Sequence, residues 1–103
     1  MRTVRLSKTF ERQLADLLDY GEQRFGRAVA AASKVRVERA IRDFLVEFPN
    51  AKTTDPDLGL TRYPVTRTPF VLLYDFDDAE LRVHFVFQEH ASLTDVDPSV
   101  AEW

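Results

Sequence analysis

The chain contains no cysteine, which excludes disulfides and thiolate metal ligands and fits a reducing compartment. Only three glycines, Gly21, Gly26 and Gly59, punctuate its 103 residues. There is accordingly no glycine-rich loop to cradle a phosphate, no dinucleotide fingerprint and no GxSxG nucleophile elbow. Two histidines, His84 and His90, lie six positions apart without any accompanying metal-ligand spacing, so neither a metal nor a cofactor is expected. Long apolar runs are missing too: Phe70 to Tyr74 is far shorter than the roughly 20 residues a membrane span needs. The opening MRTVRLSKTF has basic residues but no apolar stretch behind them, unlike a secretory signal. These absences predict a soluble cytoplasmic chain with no membrane association.

A basic excess over the whole chain is also lacking. Residues 1–50 hold ten Lys/Arg against seven Asp/Glu, whereas residues 51–103 hold four against ten, and the net charge is −3. Non-specific nucleic-acid affinity comes mainly from neutralising phosphates, so direct DNA binding by this chain is not expected.

What is present is enough for one core: 45% hydrophobic residues, 12% of the chain being aromatic, in a length typical of a single domain spanning residues 1–103. RTVRL at 2–6 reads as a short strand, and Ser7 stands where a helix N-cap is wanted. Phe10, Leu14, Leu17 and Leu18 then form one apolar helical stripe, with Gly21 weakening and Gly26 ending the helix. From Arg27 to Phe48 there is neither Gly nor Pro, and Val37, Ile41, Phe44, Leu45 and Phe48 recur at helical spacing until Pro49. The opposite face, with Lys34, Arg36, Arg39 and Arg42 among Glu38 and Asp43, reads as a solvated face with local ion pairs.

PNAKTTDPDLG is a polar surface connection. Strands follow over Leu58–Val65, Phe70–Phe76 and Leu81–Gln88, the last two joined by a tight turn through Asp77–Glu80. FVLLY is apolar on both faces, as a central strand partly covered on both sides would be. Asp97 and Pro98 read as the cap and first residue of a closing helical turn, with Trp103 folded back. The order β-α-α-β-β-β predicts an α+β fold, a helical hairpin packed on a small, mainly antiparallel sheet.

Strict alternation in the last strand puts Leu81, Val83, Phe85 and Phe87 on one face and Arg82, His84, Val86 and Gln88 on the other, with His90 just beyond. Arg62 and Arg67 come from the neighbouring hairpin. Such a set could hold a phosphate and move a proton. It could equally be a row of cross-strand polar partners, or the face on which another protein lies. Asp75, Asp77 and Asp78 read as solvated turn chemistry.

Four tracts in order, VRLSKTF…LADLLDYGEQRFG, the second helix ending LVEFP, LGLTRYPVTRTPFVLLYDF and LRVHFVFQEHA, resemble the RelE/ParE superfamily of type II toxin–antitoxin toxins. The resemblance implies a small toxin neutralised by an antitoxin whose C-terminal segment wraps across the helical hairpin and sheet. RelE-like members cut mRNA on the ribosome with basic residues on the sheet and a Tyr or His near the end of the last strand. ParE-like members share the fold but inhibit DNA gyrase without being nucleases. Here Asp75 follows Tyr74 where many members carry Arg, and Gln88 stands where the last strand often ends in His, with His90 two residues later. These departures place gyrase inhibition first, with Arg62, Arg67, Arg82, Gln88 and His90 as target-binding candidates. The alternatives are a ribosome-dependent mRNA endoribonuclease using Arg62, Arg82, His84 and His90, or a member that only binds the antitoxin.

Overall fold

In a computed structural model, which describes residues 2–91 and 96–103, two helices cover one face of a five-stranded sheet. β1 (Thr3–Leu6) leads into α1 (Lys8–Phe25) and α2 (Arg27–Arg39). β2 (Thr54–Asp55), β3 (Leu60–Pro64), β4 (Phe70–Phe76) and β5 (Glu80–Gln88) complete the sheet in the order β1-β5-β4-β3-β2. Neighbouring strands are antiparallel except β1, which runs parallel to β5, with Val4 opposite Leu81 and Leu6 opposite Val83. The α+β class and helical hairpin expected from the sequence are present. The two-residue β2 is an addition, since the polar connection pairs Thr54 and Asp55 with Thr61 and Leu60.

Ser7 starts α1 as its sequence position requires. Its Oγ accepts the Phe10 N–H at 2.8 Å and donates to the His84 carbonyl at 2.6 Å, so the cap also ties the helix to β5. The helix runs through Gly21 and ends at Gly26, whose φ of 95° is easily adopted only by glycine. Gly26 alone separates the helices: its N–H closes the last turn of α1 on Glu22, and its carbonyl opens α2 by accepting from Ala30. Ala15, Leu18 and Lys34 line one cleft between the helices, and Glu11, Leu14, Glu38 and Ile41 line the next towards the start of α1, so the helices are antiparallel.

The second helix departs from expectation. Past Arg39 the chain continues as a π-helical segment, Ala40–Leu45, marked by the Val46 N–H reaching Ile41 O, five residues back, at 3.2 Å. The extra residue per turn rotates the end of the helical region about its axis. Leu45 and Val46 enter the core beside Val37 and Ile41, whereas Phe44 and Phe48, expected inside, are 37% and 53% exposed. Burying a side chain such as Leu45 stabilises by about 1.5–3 kcal/mol, and its truncation to Ala costs about 2–5 kcal/mol with the cavity included.

The main core lies between the helices and the Phe70, Leu72 and Tyr74 face of β4, joined by Leu81, Val83 and Val86 of β5. A smaller cluster, Leu60, Leu73 and Phe85, occupies the opposite face under Leu58, Phe87, Val96 and Ala101. FVLLY is therefore covered on both sides. The strict alternation expected of β5 does not hold. Leu73 pairs with Phe85 but Tyr74 with Val83, so His84 is an extra residue, a β-bulge, and the strand exchanges faces there. Leu81 and Val83 face the helices; after the bulge Val86 does, and Phe85 and Phe87 turn away.

Candidate functional site

The bulge divides the residues that the sequence placed on one face. Arg82 and His84 lie on the side away from the helices, where Asp75 is directly opposite Arg82 on β4. Gln88 lies on the helical side, opposite Phe70 and near Arg67. Arg62 on β3 is exposed and donates from Nη2 to the Glu89 carbonyl at 3.4 Å, and His90 is exposed in the turn after β5.

Around Arg82 the charges are paired. Its Nε and Nη2 donate to the two oxygens of Asp75 at 2.9 and 3.3 Å, while Nη1 donates to Asp77 at 2.9 Å and Glu80 at 3.0 Å. Strand pairing brings Asp75 opposite, and the tight turn after β4 returns Asp77 and Glu80 to the same end. The hydrogen bonds that Arg82 donates to Asp75, Asp77 and Glu80 push its pKa up. The Arg82 guanidinium, with the Ala79 and Glu80 N–H groups, holds the Asp77 carboxyl below the usual carboxylate range. With three carboxylates on one guanidinium, this end of the sheet is a poor place for a phosphate.

His84 joins the same cluster. Its Nε2 lies 2.9 Å from Asp75 Oδ1, and since an ionised carboxylate only accepts, the imidazole donates. Nδ1 is buried and has no hydrogen-bond partner among the described residues. The tail closes over the ring. Asp97 caps a 3-10 turn, Pro98–Val100, by accepting the Ser99 N–H, and hydrogen bonds from the Ser99 hydroxyl and N–H hold its carboxyl below the usual range. The next residues are fixed to α1, Glu102 donating to Thr9 Oγ1 at 2.9 Å and accepting from the Lys8 N–H at 2.6 Å. Trp103 then sets its ring perpendicular to His84 at 4.8 Å, with Arg5 over the indole at 5.0 Å. The tail folds back as the sequence predicts, although only Pro98–Val100 is helical.

On the helical side, Arg67 and Gln88 border a groove of about 410 Å³ between the helices and the start of β4, walled by Leu17, Phe25, Val29 and Phe70. Phe25 is 66% exposed there. Two features near it escaped the sequence reading. Arg67 has a φ of 63°, the left-handed conformation that favours Gly or Asn. Arg36, Arg39 and Arg42 form no ion pairs among the described residues, contrary to the local pairing expected with Glu38 and Asp43. The only available signal was the arginine spacing itself, which a solvated face shares.

No group of three or more His, Asp or Glu among the described residues is arranged to hold a metal ion, and no helix among them is long and apolar enough to cross a membrane. The architecture is similar to a chain of the chromosomal ParDE TA system from P. aeruginosa, with a TM-score of 0.71 and 16% identity over 85% of this chain and 96% of that one. At that identity the likeness shows the α+β fold alone. The sequence itself goes further: the model of the ParE toxin of type II toxin–antitoxin system, parDE, matches residues 4–91, and the chain belongs to that family. A comparison with curated proteins finds no match.

Proposed function

We propose that residues 1–103 act as one toxin domain of ParE type, which inhibits DNA gyrase in the cytoplasm without cleaving nucleic acid and is neutralised by a cognate antitoxin. The observation that carries the non-nucleolytic reading is the saturation of Arg82. Its guanidinium makes four hydrogen bonds to Asp75, Asp77 and Glu80, leaving little to offer a scissile phosphate. His84 is covered by Trp103, which also argues against its serving as an acid or base for RNA. Membership in the ParE toxin family supports the target and the antitoxin. The exposed Tyr20, Phe25 and Val29 beside the groove supply apolar surface for the antitoxin's C-terminal segment.

The test is to add the purified chain to gyrase supercoiling assays and, separately, to follow mRNA integrity after its expression in cells. Blocked supercoiling with intact mRNA is expected. Cleavage of translated mRNA with unimpaired gyrase would replace this reading by the ribonuclease one. Normal growth with tight antitoxin binding would leave a chain that only binds its antitoxin.

A further inference from the structure

β1 accompanies β5 only as far as Val83, which lies opposite Leu6. Beyond that point α1 supplies the hydrogen bonds that a neighbouring strand would have given. The Ser7 N–H donates to the Val83 carbonyl at 3.0 Å, and Ser7 Oγ donates to the His84 carbonyl at 2.6 Å. Gln13, further along α1, accepts the Val86 N–H on its Oε1 at 2.9 Å. The last two bonds exist only because of the bulge. Successive residues of an antiparallel strand aim their backbone groups at opposite edges. The Val83 carbonyl points to the outer edge, so unbroken alternation would turn the His84 carbonyl and the Val86 N–H to β4. The bulge turns both outward, onto Ser7 and Gln13.

The sequence of β5 also fits a strand without its bulge. Even alternation puts Leu81, Val83, Phe85 and Phe87 towards the helices and Arg82, His84 and Gln88 on the far side, with Val86 as the one exception. Phe85 would then stand opposite Leu72 and Phe87 opposite Phe70, where the bulged strand has Val86 and Gln88. In the bulged strand Phe85 is instead buried on the far side with Leu60 and Leu73, and Phe87, Val96 and Ala101 pack against that cluster. The tail therefore rests on a platform that exists only while β5 is bulged. Trp103 of the same tail sits on His84, the extra residue itself.

We propose that β5 has two registers and that docking of the tail is coupled to the choice between them. In one, Ser7 and Gln13 hold the bulge, Phe85 and Phe87 face away from the helices, and the tail is docked. In the other, the strand is straight beyond Val83 and both phenylalanines turn to the helices. The tail then loses its platform, and Gln88 joins Arg82 and His84 on one open polar face. Volume keeps the bulged register dominant: Phe85 is larger than the buried Val86 whose place it would take, and overpacking a core is costly. Gln13 is thus a positioning residue, acting on the tail through the strand between them. The coupling is reciprocal, so whatever stabilises the docked tail stabilises the bulge by the same factor. This device is independent of the proposed action on gyrase.

The test is NMR of the isotope-labelled full chain, reading cross-strand contacts and Val86 amide exchange, with Trp103 emission measured alongside. In the parent, Leu72 is opposite Val86. Gln13→Leu removes the acceptor at similar size and should shift the balance towards the straight register by about tenfold. That shift is read as a second set of signals with Leu72 opposite Phe85, together with Trp103 emission at longer wavelength. Gln13→Glu keeps an acceptor for the Val86 N–H and should restore both readouts. Trp103→Ala removes no bond of the Ser7–Gln13 clamp, yet should quicken exchange of the Val86 amide by about threefold or more. The proposal is overturned if Gln13→Leu leaves both bulge and tail unchanged, if it changes one without the other, or if Val86 exchange is indifferent to Trp103→Ala. Should Gln13→Leu lose cooperative melting, Trp103→Ala decides alone, since Trp103 is exposed and its removal leaves both core clusters intact.

Discussion

Asp75 and Arg82 face each other across β4 and β5 and are joined by two hydrogen bonds, Nε to Oδ1 at 2.9 Å and Nη2 to Oδ2 at 3.3 Å. Arg82→Ala therefore leaves Asp75, Asp77 and Glu80 together without their counter-charge, and should cost about 1–3 kcal/mol at pH 7. Asp77's carboxyl is held down in the folded chain, so its contribution is complete above the unfolded value of about 3.9 and fades as pH falls through its lower folded value. Urea unfolding of parent and variant should thus differ more at pH 7 than at pH 3. An equal difference at both would mean the cluster is not electrostatic in its effect.

Tyr74 has its ring in the core and donates its hydroxyl to the Pro49 carbonyl at 2.5 Å, holding the end of the second helical region against the sheet. Burial, with a smaller effect from Tyr63, pushes its pKa up to about 12. The protonated form is the one the fold favours, so this contribution is whole below the unfolded value of about 10 and is lost as pH rises from there through the folded value. Ultraviolet titration should show a late tyrosine ionisation from Tyr74, near pH 12. Tyr74→Phe should remove that late step and cost about 1–2 kcal/mol in thermal unfolding.

Relief of the left-handed conformation at Arg67 should raise stability. Arg67→Gly or Arg67→Asn is expected to add about 0.5–1 kcal/mol, read as a higher denaturant midpoint with an unchanged slope. A loss of stability would show that the arginine side chain, and not the turn, governs this position.

Trp103 is the chain's only tryptophan, and its ring contacts His84. Its fluorescence consequently reports docking of the tail. His84→Ala should shift emission to longer wavelength and lower stability by about 0.5–1.5 kcal/mol. Unchanged emission in that variant would mean the tail docks without the imidazole.

Much of this fold was legible because its signals are local. Ser7 is the cap its position promised, Gly26 breaks the helices, and FVLLY is the doubly covered strand its composition requires. The parallel pairing of β1 with β5 leaves no local mark, since partners such as Leu6 and Val83 are far apart in sequence. The π turn left no mark either, because an apolar stripe through Phe44 and Phe48 fits a regular helix equally well. At the candidate site, the sequence supplied Arg82, His84 and Gln88 but not their division between faces. One clue was Val86, a fully apolar residue at a position assigned to the polar side.

The bulge at His84 also governs how this chain is compared with relatives. Positions before and after it obey different parities, so an alignment that slides β5 without a gap at that point exchanges inward for outward residues in half the strand. Correspondences for Gln88 and His90 must be counted from Phe85, not from Leu81. A residue that looks substituted under the wrong count can simply be its neighbour, displaced by one.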